Sequence, residues 1–178
     1  MFEGTCRRSK GFSLLEVLVA LVVLSFGILG AVAMQLAAKR GSFGALERTQ
    51  AMSLANDYIE RARGNPIQLA SYAGTIGTGH SVTAVASCTR GSTCTNTALA
   101  DWDKYQWYQE LLGGATQEGG NNVAVLEDAV GCVTVAANIM TVTVSWQSLH
   151  GTSDGAIDGS CGTASNRRRQ VQVRSVVW

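Results

Sequence analysis

From Val17 to Ala38 the chain carries 22 uncharged, mostly apolar residues, with Glu16 directly before them and Lys39 directly after. As helix, such a run rises roughly 33 Å, enough to cross about 30 Å of hydrocarbon. A soluble core rarely absorbs a segment this long and this apolar. Arg7, Arg8 and Lys10 precede it, which fits a cytoplasmic flank under the positive-inside tendency. Glu16 is the anomaly, because a carboxylate at the mouth of a membrane helix is costly and normally has a partner. A plain anchor has no use for it.

The full motif reads Lys10-Gly11-Phe12-Ser13-Leu14-Leu15-Glu16-Val17-Leu18-Val19-Ala20-Leu21. It resembles the N-terminus of type IV pilins and pseudopilins. That resemblance implies cleavage after Gly11 by a prepilin peptidase and N-methylation of the new first residue, Phe12. The apolar segment would be kept, unlike a secretory signal, which is cut after its apolar core. It also implies an assembly role for Glu16.

Behind the apolar run the composition allows one modest exported domain. The chain has 178 residues, 15% of them charged. Loss of residues 1–11 removes three of 14 basic residues and one of 13 acidic ones, leaving a net charge of about −1. No basic excess invites nucleic acid. The run Arg167-Arg168-Arg169 reads as a solvated turn before a strand. Of five cysteines, Cys6 lies in the leader, and an even four remain: Cys88, Cys94, Cys132 and Cys161. In an oxidising compartment these predict two disulfides. Three pairings exist; proximity and the turn at Gly91 favour Cys88–Cys94 and Cys132–Cys161. The second would close a loop of about 30 residues, worth roughly 3–4 kcal/mol in chain entropy. The spacings do not suit zinc, and no metal or cofactor is expected.

Helical periodicity continues past the apolar run. Ala51, Leu54, Ala55, Tyr58, Ile59 and Ala62 form one stripe, and Gly64-Asn65-Pro66 stops it. A helix over about 12–63 would be roughly 75–80 Å long, with Gly27, Gly30, Gly41 and Gly44 as points of weakness. Residues 68–97 read as loop with a short strand around 81–86. A second helix, capped by Asn96 or Thr97, runs through Leu112 to Gly113-Gly114 and presents Trp102, Tyr105 and Leu112 on one face, with Trp107 and Leu111 beside them. Period-two alternation predicts strands at 132–137, at 139–146 and from Val171 to Val177, with 150–166 as a loop. The expected fold is α+β: a long N-terminal helix packed on a small antiparallel sheet. Its divisions are a leader (1–11), a membrane or filament-core helix (12–38), an amphipathic continuation (39–64) and a globular head (65–178).

Cys88, Cys94, Asp103, Trp107, Leu111, Gly113, Gly114, Cys132, Val142, Val144, Trp146 and Gln147 resemble the pattern of type IV pilus modification proteins, a family of minor pilins. The resemblance implies co-assembly with other minor pilins and a tip adhesin, priming of pilus assembly, and support of surface display, adhesion and twitching motility. Prepilin peptidase, the inner-membrane assembly platform and the inner membrane itself would be its partners, with no small-molecule substrate. It would sit in the inner membrane with its head in the periplasm, then in the pilus tip. The minor pseudopilins of type II secretion share the helix and are the alternative. Enzymatic readings are weak: His80 and His150 are the only histidines, and no nucleophile elbow or zinc-protease helix occurs. Asp154 and Asp158 lack EF-hand spacing.

Overall fold

In the computed structural model, residues 11–89, 93–114, 117–149, 151 and 161–178 are described. The leader with Cys6, Arg7, Arg8 and Lys10, as well as Asp154, Asp158 and most of the 150–166 loop, lies outside them. Two compact units divide at Phe43 and Gly44. Helix α1, Leu14–Arg63, contributes to both.

The second unit holds the core. Its part of α1 buries Ala51, Leu54, Ala55, Tyr58, Ile59 and Ala62, the stripe that periodicity predicts. The amide of Gly64 reaches the carbonyls of Glu60 and Arg61, ending the helix before Pro66. Pro66–Tyr72 then forms a 3-10 helix where loop was expected. Strand β1 follows at Gly74–Gly77, and residues 81–86 form no strand, so the expected position was late. Helix α2 spans Asn96–Leu111, with Thr95 rather than Asn96 or Thr97 as its cap; the Thr95 hydroxyl accepts from the Ala98 amide at 3.2 Å. It ends at Gly113, where φ is +78° and a Cβ would lie 2.4 Å from the Ala124 nitrogen. A short ribbon pairs β2, Gln117–Glu118, with β3, Asn121–Asn122.

The main sheet is antiparallel, with β4 (Glu127–Ala136), β5 (Ile139–Gln147) and β6 (Arg168–Val176) ordered β1-β4-β5-β6. Register places Val133, Val142 and Val173 in one cross-strand row, and Gly131, Val144 and Val171 in the next. These rows face the helices, together with the buried Met140 and Trp146. Strand β4 begins five residues earlier than alternation predicts. A bulge between Glu127 and Val130 interrupts the period there. The long apolar helix thus packs, through its C-terminal part, on a small four-stranded antiparallel sheet.

The β4–β5 turn offers a simple test. Ala137 sits at φ +54°, a region that costs a residue with a Cβ roughly 1 kcal/mol. Ala137→Gly is therefore expected to raise stability by about 0.5 kcal/mol after its own entropy cost, read as a higher urea midpoint with unchanged slope.

Candidate assembly site

The first unit is a helix without a core. Every described residue from 11 to 43 is exposed. Phe12 is 82% exposed, and Leu14, Leu15, Leu21, Leu24, Leu29 and Met34 all face outward. This is the one described helix long and apolar enough to cross a membrane. An apolar surface on all sides cannot stay in water; it requires lipid or neighbouring helices.

At its start, the Ser13 carbonyl accepts from the amides of Glu16 (3.0 Å) and Val17 (3.2 Å), closing the first turn. Glu16 lies in that turn, where the helix dipole favours a negative group. Phe12 and Gly11 lie just ahead of the helix. The carboxylate and the Gly11-Phe12 step therefore lie at one helix end. Further along, the Ser25 hydroxyl returns to the Leu21 carbonyl at 2.7 Å, so it is satisfied within the helix and compatible with hydrocarbon. Gly27 and Gly30 have open space where a Cβ would stand, leaving room for another backbone to approach.

In the second unit the chemistry is that of fastening. The buried Trp107 ring lies 4.4 Å from Tyr58, centroid to centroid, and its Nε1–H donates to the Leu54 carbonyl at 2.9 Å. Trp146 donates to Glu47 Oε2 at 3.0 Å. The buried face of α2 is Ala100, Asp103, Trp107 and Leu111, which corrects the expected Trp102, Tyr105 and Leu112 face. The reason is polar: the Tyr72 hydroxyl donates to Asp103 Oδ2 at 2.6 Å, and the Tyr58 hydroxyl donates to the Tyr72 carbonyl at 2.9 Å, so the acid turns inward. Burial pushes the Asp103 carboxyl up, although the Tyr72 hydrogen bond and Arg61 pull it down. Burial likewise pushes the Tyr58 and Tyr72 hydroxyls well above the usual phenol range, so both remain donors. Arg61 joins the helices through Asp57 (2.6 Å), Gln106 (2.9 Å) and Glu110 (2.7 Å).

The cysteines pair as Cys88–Cys94 and Cys132–Cys161, with Cα separations of 5.9 and 5.7 Å. Arg168 overturns the solvated reading of its run, being 1% exposed. Its Nε donates to the Thr163 carbonyl and Nη1 to the Asp128 carbonyl, while Nη2 pairs with the Asp128 carboxylate. The β4 bulge that aims Asp128 at this site left no mark in the spacing of residues. Asp128 stands at φ +49°. Arg167, by contrast, is partly exposed, 4.0 Å from Glu127.

No group of three metal-ligating side chains occurs among the described residues. His80 is exposed and bridges to Gly77 through its backbone.

Two protein families match the chain. The prokaryotic N-terminal methylation motif covers residues 6–32, and type IV pilin Tt1218 covers residues 33–105. No curated protein and no solved structure matches it. Pilins of this kind are structural subunits, processed by a prepilin peptidase and assembled with other pilins after a stage in the membrane. In its coreless apolar helix, its helix-on-sheet fold and the two adjoining family matches over residues 6–32 and 33–105, the chain is similar to type IV pilins.

Proposed function

We propose that the chain is a minor pilin of the type IV pilus modification class. It joins other minor pilins and a tip adhesin, primes filament assembly on the inner-membrane platform, and supports surface display, adhesion and twitching motility. The observation that carries this reading is the helix exposed on every side, with Glu16 in its first turn directly behind Gly11-Phe12.

In this reading residues 1–11 leave as the leader, 12–38 form the membrane and later the filament-core helix, 39–64 continue the helix into the head, and 65–178 form the head. Cleavage after Gly11 creates an ammonium on Phe12, which is then N-methylated. Glu16 in lipid has no partner within its own helix. Docking beneath a neighbour lets it accept that neighbour's ammonium, which sets the register of assembly more than its net stability. Leucine and valine surfaces then leave lipid for helix neighbours, with Gly27 and Gly30 as points of close approach.

The test is peptide mass spectrometry on sheared surface filaments, searching for the methylated peptide that begins at Phe12. Its presence there supports the pilus reading. The same processed peptide confined to membranes favours a minor pseudopilin of a type II secretion tip complex. Gly11→Glu is expected to leave the chain unprocessed. Glu16→Ala is expected to leave it processed but about tenfold depleted from filaments, with head stability unchanged. Normal piliation in either variant would remove the mechanism.

A further inference from the structure

Strand β6 forms one margin of the main sheet, with β5 as its single strand neighbour. Hydrogen bonds at the two ends of this pair show which of its peptide groups face outward. The Ser148 amide donates to the Arg167 carbonyl, and the Val177 amide donates to the Asn138 carbonyl. Bonded pairs alternate along an antiparallel ladder, so the odd-numbered residues of β6 turn their peptide groups toward β5. Gln172, Arg174 and Val176 turn theirs away. Among the described residues no backbone group bonds to them there; the Val176 carbonyl receives only the Ser175 hydroxyl at 3.4 Å. All three residues are exposed, Val176 at 45%.

A long unpaired margin of this kind is a template for another strand. Its charge selects which one. Strand β6 carries three arginines and no acid. Arg168 is spent on Asp128, but neither Arg169 nor Arg174 has an ion pair among the described residues, and Arg169 Nε is buried without a hydrogen-bond partner. Nearby Arg63, which donates to the Ser175 hydroxyl, is already paired with Glu60. A second copy of β6 would add two more uncompensated guanidinium groups to the same ribbon, which opposes self-pairing. A strand with acids on the exposed face would instead neutralise Arg174.

We propose that the outer margin of β6 receives an extended strand of a partner protein in which apolar and acidic side chains alternate. Main-chain bonds to Gln172, Arg174 and Val176 supply the docking, and carboxylates on the exposed face that carries Arg174 supply the selection. The inference rests on the sheet margin and stands apart from membership of a filament.

A rhodamine-labelled peptide alternating valine and glutamate serves as the probe, titrated by fluorescence anisotropy against the full processed chain in detergent micelles. Gln172→Pro removes an outward amide while leaving the β5 ladder its bonds. Binding is expected to weaken about tenfold in this variant and about tenfold in Arg174→Glu, and the latter should gain affinity for the matching valine–lysine peptide. Arg174 is exposed, so its variant keeps the test valid should Gln172→Pro lower the urea midpoint. Absence of peptide binding overturns the proposal, as does equal affinity across the variants. Dimerisation of the chain that Gln172→Pro abolishes would also overturn it, by making a second copy the occupant.

Discussion

Gly131→Ala is expected to lower the stability of the head by about 3 kcal/mol, near the upper end of what overpacking costs. A Cβ at Gly131 would stand 2.1 Å from Cη2 of Trp107 and 2.5 Å from Cζ3. The ring cannot yield cheaply. Its Nε1–H is held by the Leu54 carbonyl at 2.9 Å, and Tyr58 packs against it. Swinging the indole away would break that bond and open a cavity between α1, α2 and β4. Urea unfolding of the full chain in micelles, followed by tryptophan emission, reads the effect as a lower midpoint. Adding Trp107→Leu to the alanine variant separates clash from strand propensity. If the clash dominates, Trp107→Leu costs far less in the Gly131→Ala background than alone, because the space is already contested. Simple additivity of the two would show that the contact is not the cause.

Arg168→Ala is expected to cost more, roughly 3–5 kcal/mol, the range for removing one member of a buried pair. The guanidinium satisfies the carbonyls of Thr163 and Asp128, and it pairs with the Asp128 carboxylate. Its removal strands all of these acceptors at once. Lysine would not rescue it, since one ammonium cannot reproduce the planar fork. A double variant supplies the check. Asp128→Gly removes the stranded carboxylate and relieves the backbone at φ +49°, so Arg168→Ala should cost clearly less in that background, by at least about 1 kcal/mol. An equal cost in both backgrounds would mean that the arginine acts by packing alone.

These two sites also mark where sequence reasoning reached and where it stopped. The stripe from Ala51 to Ala62 was legible because one helix face meets one continuous core, so its period survives in the residues. The alternation of Met140, Val142, Val144 and Trp146 was legible for the same reason in period two. Strand β1 was not, because Gly74-Thr75-Ile76-Gly77 owes its conformation to pairing with β4 rather than to its own side chains. The face of α2 was misjudged because hydrophobicity pointed to Trp102 and Tyr105, whereas Tyr72 draws Asp103 inward. Arg168 was invisible for a similar reason. Nothing in three successive arginines tells which of them a distant bulge will receive. At the candidate assembly site the motif from Gly11 to Glu16 was plain in the sequence, while the margin of β6 appeared only once strand order was known.

The link from Trp146 to Glu47 spans 99 residues of chain, and that from Arg63 to Ser175 spans 112. They set an order of events during biosynthesis. Helix α1 is made first, and Tyr72 and Trp107, which meet its stripe at Tyr58 and Leu54, follow well before most of the main sheet. Until β6 emerges, the sheet that completes the cover of that stripe lacks a strand. Local helix can form early, but the head must wait for nearly the whole chain before its long-range contacts offset the entropy of closing such loops. During that interval the nascent protein is a hydrophobic rod tethered to an unfolded tail, open to proteolysis and to aggregation.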